Sequence, residues 1–136
     1  LWAALEEVQA ADFVRMKDGM LDAEVEQGGR NFSGGQRQRL CVARAIAAKP
    51  DMLILDDSSS ALDYATDAAM RRAIKNLPWK PTLLIVSQRT VSIEHADKIL
   101  VLDDGELAGI GTHEELLSAC PVYKEIYDSA SGKDGE

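Results

Sequence analysis

The chain has 136 residues, of which 46% are hydrophobic and 28% are charged, enough apolar material for the core of one domain of ordinary size. The formal net charge of −8 argues against nucleic acid or an anionic membrane surface as a direct partner. No apolar run approaches the roughly 20 residues that a membrane-spanning helix needs. The two cysteines, Cys41 and Cys120, have neither a disulfide-framework nor a metal-site spacing.

The first predicted element is a helix over residues 1–8, in which Trp2, Leu5 and Val8 form an apolar face. A charged turn over residues 24–29 follows further along the chain. It precedes the most informative stretch of the sequence, residues 31–40.

In that stretch Ser33 is followed by two glycines and then by a helical pattern. Two glycines let the backbone come close to a ligand, and the first free N–H groups of the next helix form an anion site. Apolar residues recur at helical spacing from Gly35 onward, and Lys49 followed by Pro50 predicts the end of the helix. A Ser-Gly-Gly turn alone is a weak signal, because short glycine motifs occur often by chance.

The segment over residues 52–57 strengthens the interpretation as a phosphate site. It is a continuous apolar run that ends in two carboxylates, Asp56 and Asp57, and it predicts a strand buried on both faces. Carboxylates at the end of a buried strand suit a hydrated Mg²⁺ beside phosphates. A small polar turn follows, and then a helical pattern over residues 64–76.

A second apolar run over residues 82–86 predicts another buried strand, which leads into Gln88. Two such strands joined by a helix predict a right-handed βαβ unit and an α/β fold class. Downstream, the Asp103-Asp104-Gly105 turn predicts a hairpin of residues 98–102 and 106–110. Thr112 and Glu115 have the spacing of a capping box, and a last helix is predicted over residues 122–129.

These motifs together resemble the nucleotide-binding domain of ABC transporters. Residues 32–36 resemble the family's signature motif, usually written LSGGQ, with Phe32 in the place of the leucine. Residues 52–56 resemble the Walker B strand, residues 60–63 resemble the D-loop, and Gln88 falls where the family's switch histidine normally lies. Four motifs in the family's order make a chance match very improbable.

The resemblance implies ATP and Mg²⁺ as cofactors and assigns candidate roles to particular residues. Asp56 would be the metal ligand, and Asp57 and Gln88 would hold the catalytic positions. The residues expected to contact the nucleotide are Phe32, Ser33, Gly34, Gly35, Gln36 and Asp63.

One family motif does not occur in the 136 residues, namely the P-loop pattern Gly-x-x-x-x-Gly-Lys-[Ser/Thr]. We therefore expect the chain to be the C-terminal part of one nucleotide-binding domain, with an incomplete, mainly parallel sheet that lacks the P-loop strand. Residues 1–49 would form the helical signature region, 50–120 the catalytic core from Walker B to the C-terminal strands, and 121–136 the last helix and tail. The parent protein would be an ATP-hydrolysing translocase, whereas the chain by itself is expected to be inactive.

Loss of the P-loop strand would leave two unpaired strand edges in the middle of the sheet, which usually invites rearrangement or pairing with another chain. The sequence thus predicts either closure of the gap or a swapped assembly.

Two residues depart from the family pattern. Asp57 stands where the family usually has a glutamate that activates the attacking water, and a side chain one methylene shorter draws the carboxylate back by roughly 1.3–1.5 Å. A misplacement near 1 Å can cost about 10²-fold in rate. Gln88 can still hydrogen-bond a γ-phosphate, but it cannot carry a proton near pH 7 as histidine can. Both departures weaken the same site.

In the family, two nucleotide-binding domains stack head to tail, and the signature of one completes the ATP site of the other. Asp57 and Gln88 would thus serve this chain's own ATP site, whereas its intact signature motif would serve the partner's. This asymmetry predicts one half of a heterodimeric exporter at the cytoplasmic face of the cell membrane. Its partners would be a second nucleotide-binding domain and transmembrane domains. Residues 24–29 fall at the X-loop, which in exporters touches the transmembrane domains. The alternatives are a homodimeric exporter with slow, aspartate-based hydrolysis and a soluble mechanical ATPase of DNA repair or translation.

Overall fold

The computed structural model describes residues 1–131. The chain forms two compact units, Leu1–Val86 and Ser87–Glu136. The predicted tail beyond residue 131 lies outside the described residues. The predicted division into residues 1–49, 50–120 and 121–136 stays a prediction. None of the helices within residues 1–131 is both long enough and apolar enough to cross a membrane.

The first unit contains four helices and two strands among its described elements. In chain order they are α1 (Trp2–Glu7), α2 (Ala11–Arg15), α3 (Gly34–Ala47), β1 (Met52–Asp56), α4 (Tyr64–Lys75) and β2 (Thr82–Val86). Strands β1 and β2 pair in parallel, with Met52 opposite Thr82, and α4 connects them as the predicted βαβ unit requires. Helix α2 and the short 3₁₀ turns Met20–Asp22 and Gln27–Gly29 are additions to the prediction.

The core of this unit lies between its helices and one face of its sheet. It contains Leu5 and Val8 from the predicted apolar face of α1, together with Ile46 of α3 and Met70 of α4. Leu53 of β1 belongs to the same buried cluster. The apolar spacing in the helices therefore marks core positions, as the sequence predicts.

The expectation that β1 is buried on both faces is wrong. Leu53 and Leu55 are buried, but the alternate residues Met52 and Ile54 are 58% and 59% exposed. Strand β2 likewise alternates between exposed and half-buried residues. The helices of this unit pack on one face of a two-stranded sheet, which leaves the other face without a cover from these elements.

The second unit consists of a hairpin and two helices, preceded by a 3₁₀ turn at Thr90–Ser92. Its elements are β3 (Ile99–Asp103), β4 (Glu106–Gly111), α5 (His113–Ala119) and α6 (Pro121–Ser131). The hairpin turn and the capping box at Thr112 are both found as predicted. Buried residues of β3, α5 and α6, together with Cys120 between the two helices, form a small core of Ile99, Val101, Leu116, Cys120 and Tyr123.

Strands β3 and β4 pair antiparallel, with an irregularity between Val101 and Leu102. The described strands thus form two sheets of two strands each. Closure of the gap into one sheet, the first of the two predicted outcomes, is not found within residues 1–131. A swapped assembly stays a prediction.

Candidate functional site

The stretch over residues 32–36, called the signature turn below, ends in a complete helix cap. Ser33 is the N-cap of α3: its Oγ accepts from the Gln36 N–H at 3.2 Å, and its own N–H donates to Gln36 Oε1 at 2.9 Å. Gly34 and Gly35 hold the first two helical positions, where N–H groups have no acceptor within the helix. The turn therefore offers backbone donors and the positive end of a helix of 14 residues to an anion.

The structure gives a second reason for glycine at positions 34 and 35, which the sequence does not reveal. A Cβ on Gly34 would lie 3.2 Å from Ala61 Cβ, and a Cβ on Gly35 would lie 3.0 Å from the Ala61 carbonyl oxygen and 3.1 Å from Leu62 Cδ2. Gly35 is therefore required by the close approach of α3 to the backbone at residues 61–62. Sequence reasoning explained these glycines only by the approach of a ligand.

The side chain of Phe32 points into the core rather than toward a ligand. It is 7% exposed, and its ring meets Phe13 in an edge-on contact at 6.2 Å between centroids. The ammonium of Lys17 lies 4.6 Å from the centroid of the Phe32 ring, and it donates to the Asn31 carbonyl at 2.9 Å. The buried Phe32 side chain therefore holds the signature turn against the core. The predicted contact of Phe32 with nucleotide stays a prediction, and it would have to be made by the backbone of this residue.

Two residues that sequence reasoning missed hold the segment before the turn. The Asn31 amide donates to the Glu24 carbonyl at 2.8 Å and accepts from the Glu26 N–H at 3.3 Å. The Arg37 guanidinium donates to the Phe32 carbonyl at 2.8 Å and to the Gly29 carbonyl at 3.4 Å. In the sequence, the only indication of this role is that polar side chains stand beside a glycine-rich turn.

The two candidate carboxylates follow each other at the C-terminal end of β1. Asp56 is the last residue of the strand, and Asp57 has a left-handed backbone with φ of 46°. The Asp57 N–H donates to the Val86 carbonyl of β2 at 3.1 Å, which fixes the backbone at the edge of the sheet. Both aspartates are exposed, so their oxygens are accessible to a ligand.

These carboxylates fit a Mg²⁺ that takes its remaining ligands from water and phosphates, which is the usual mode for this ion. Within residues 1–131 no group of three or more His, Cys, Asp or Glu could hold a metal ion alone. Asp56, the predicted metal ligand, would supply an oxygen, and the chemistry that the ion would add is neutralisation of phosphate charge.

Asp63 has a clear local role, as the N-cap of α4. Its Oδ1 accepts from the Thr66 N–H at 2.9 Å and its Oδ2 accepts from the Thr66 hydroxyl at 2.8 Å. These hydrogen bonds, the backbone one first, lower the pKa of Asp63 from its ordinary value of 3.8, because they stabilise the ionised carboxylate. The side chain is exposed at the end of the loop that follows Asp57.

Gln38 joins α3 to that same loop. Its Nε2 donates to the Asp57 carbonyl at 3.1 Å and to Ser60 Oγ at 2.8 Å, and its Oε1 accepts from the Ala61 N–H at 2.9 Å. Hydrogen bonds and close packing therefore place the start of α3 beside residues 57–61, the loop between Asp57 and Asp63. Gln88, the remaining predicted site residue, is exposed after β2 and belongs to the second unit.

Comparison with known proteins agrees with the motifs. The family model described as ABC transporter matches residues 2–60. An uncharacterised ABC transporter ATP-binding protein of Mycobacterium tuberculosis is 45% identical over 131 residues, which cover 96% of this chain and 22% of the relative. The ATP-dependent lipid A-core flippase of Mannheimia succiniciproducens is 40% identical over 125 residues, covering 92% of this chain and 21% of the flippase.

Among solved structures, a bacterial Atm1-family ABC exporter with ATP bound superposes with a TM-score of 0.90 at 32% identity. The match covers 96% of this chain and 23% of the exporter chain. The architecture is thus that of a partial ABC-type ATPase fold. The chain corresponds to part of an exporter-type ABC nucleotide-binding domain. It spans about a fifth to a quarter of the length of these relatives.

Proposed function

We propose that the chain serves as part of the ATP-binding domain of a membrane exporter, in which ATP binding and hydrolysis between two such domains drive transport. The observation that carries this proposal is the capped signature turn at Ser33, packed against the loop that follows Asp57. The ATP bound in the Atm1-family exporter and the ATP dependence in the flippase's name support it. Asp56, with Mg²⁺, would face the phosphates.

The two nucleotide sites that this chain would serve are unequal. Its own site has Asp57, with a carboxylate drawn back by one methylene, and Gln88, which cannot shuttle a proton. Its signature turn, by contrast, keeps the serine, both glycines and the capping box. We infer a heterodimer in which ATP is held with little turnover at this chain's own site, while Ser33 and the first-turn N–H groups complete the partner's active site.

Contact with the transmembrane domains would be made through residues 24–29. These residues are exposed apart from the half-buried Gly29, and Asn31 holds their backbone in place by two hydrogen bonds. A defined, exposed segment directly before the signature turn is well placed to report on the state of the nucleotide site. The protein would accordingly act at the cytoplasmic face of the membrane.

Substitution of Asp57 in the assembled transporter tests this proposal. Asp57→Glu and Asp57→Ala should each leave steady-state ATP turnover within about twofold of the wild type, because the productive site uses the partner's acid. The measurement is phosphate release at saturating ATP, with the partner subunit unaltered. Abolition of turnover by Asp57→Ala would instead favour a homodimeric exporter in which this aspartate performs hydrolysis slowly.

A further inference from the structure

Gln38 has the pattern of contacts expected of a connector between two functional segments. It lies one helical turn beyond Gly34, half-buried, and its amide reaches residues 19 to 23 positions away in sequence. Both ends of the amide are used at once, since the nitrogen donates to Asp57 and Ser60 and the oxygen accepts from Ala61. No other side chain with a described contact bridges α3 and this loop so extensively.

The chemistry of the partners fixes the orientation of this amide. The Asp57 carbonyl can only accept and the Ala61 N–H can only donate, so a flipped amide would face two mismatched groups. Glutamate could serve the Ala61 N–H but not the Asp57 carbonyl, and an apolar side chain could serve neither. Glutamine is therefore specifically suited to this position.

The backbone that Gln38 holds is unusual and carries the candidate acid. Asp57 has φ of 46°, and its peptide groups are hydrogen-bonded on both sides: the N–H to Val86 and the carbonyl to Gln38 and Ser60. On the opposite side of the connection, Gly35 packs directly against the Ala61 carbonyl. The first turns of α3 and residues 57–61 are thus joined by packing and by hydrogen bonds, so a displacement of either is transmitted to the other.

We propose that Gln38 is a positioning residue that couples this chain's own nucleotide site, through Asp57, to the signature turn that it offers to the partner. The inference rests on the proposed function, in which these segments serve different ATP molecules. Occupancy of the site at Asp56 and Asp57 sets the position of residues 57–61, and Gln38 passes that position on to α3. Loss of the connection leaves ATP affinity intact but misplaces the signature turn during hydrolysis at the partner's site.

The test compares Gln38→Met with Gln38→Glu in the assembled transporter. Methionine has a similar shape and no hydrogen bonds, and we expect it to lower kcat by about tenfold while KM for ATP stays unchanged, as for a misplaced catalytic group. Glutamate keeps an acceptor for Ala61 and should give an intermediate kcat. Arg44→Met is the control, because Arg44 lies exposed in the last turn of the same helix and no described hydrogen bond joins it to the signature turn or to residues 57–61; its kcat should be unchanged.

Amide hydrogen exchange of Ala61 supplies a readout that does not depend on ATP turnover. Gln38→Met should accelerate its exchange by about tenfold or more, whereas Gln38→Glu should preserve its protection. Unchanged exchange in Gln38→Met, unchanged kcat despite faster exchange, or an equal loss of kcat in Arg44→Met would each overturn the proposal. Failure of the proposed function is distinguished by Asp57→Ala, which in that case abolishes turnover whatever the Gln38 variants do.

Discussion

Ser33→Arg should reduce ATP turnover by the assembled transporter at least about 100-fold, the usual cost of losing a preorganised site for phosphate charge. Ser33 is exposed at the N-cap of α3, so a long side chain there occupies the approach to the Gly34 and Gly35 N–H groups. The variant also removes the Ser33 Oγ that caps Gln36. The measurement is steady-state phosphate release with the partner subunit unaltered.

The loss of a helix cap needs its own control, because replacing a capping serine or threonine costs about 0.5–2 kcal/mol of stability. Thr112→Arg provides it. Thr112 caps α5 through the same reciprocal capping box, with Glu115 in the place of Gln36, and has no proposed contact with nucleotide. If Thr112→Arg reduced turnover as much as Ser33→Arg, cap loss and not the nucleotide contact would explain the result.

Gly35→Val should destabilise the first unit by about 1–3 kcal/mol, the typical cost of overpacking. Its Cβ would meet the Ala61 carbonyl at 3.0 Å, a backbone atom that cannot rotate away. Both tryptophans of the chain, Trp2 and Trp79, lie in Leu1–Val86, so tryptophan fluorescence in urea reports on this unit. The midpoint of the urea transition should fall. ATP turnover by the assembled transporter should fall as well, because it depends on the signature turn.

Gly34→Val gives the matched comparison, because the atom nearest its Cβ is the Ala61 methyl at 3.2 Å. Removal of that methyl by Ala61→Gly should restore the stability lost in the Gly34→Val variant, but it should not restore the stability lost in the Gly35→Val variant. A double-mutant cycle for each pair measures this difference. Equal relief of both variants would show that the backbone of residue 61 does not confine Gly35.

The helix of the candidate site could be predicted almost to the residue. The helical pattern from Gly35 onward and the stop signals Lys49 and Pro50 give bounds within about two residues of the observed ones, because helix breakers act over a few neighbouring residues. The strands β1 and β2 were predictable for a similar reason, as continuous apolar runs bounded by polar turns. These features depend on local sequence alone. The capping box of Ser33 with Gln36 was not predicted.

Features that depend on distant parts of the chain were not predictable in the same way. The exposure of Met52 and Ile54 follows from what covers the sheet, and an apolar run does not carry that information. The inward direction of Phe32 follows from its packing with Phe13. The contacts of Gln38 with Asp57 and Ala61 join segments about 20 residues apart. A polar residue in a helical pattern does not indicate which distant groups its side chain will contact.

The most direct test of unequal nucleotide sites is the fate of ATP at each site during turnover. The assembled transporter would be given a radiolabelled, photoreactive ATP, chased with unlabelled ATP and then crosslinked, so that retained nucleotide is assigned to one subunit. The account predicts that triphosphate is retained at the site containing Asp57, while the site completed by Ser33 exchanges and yields diphosphate. Equal exchange and equal hydrolysis at the two sites would contradict it.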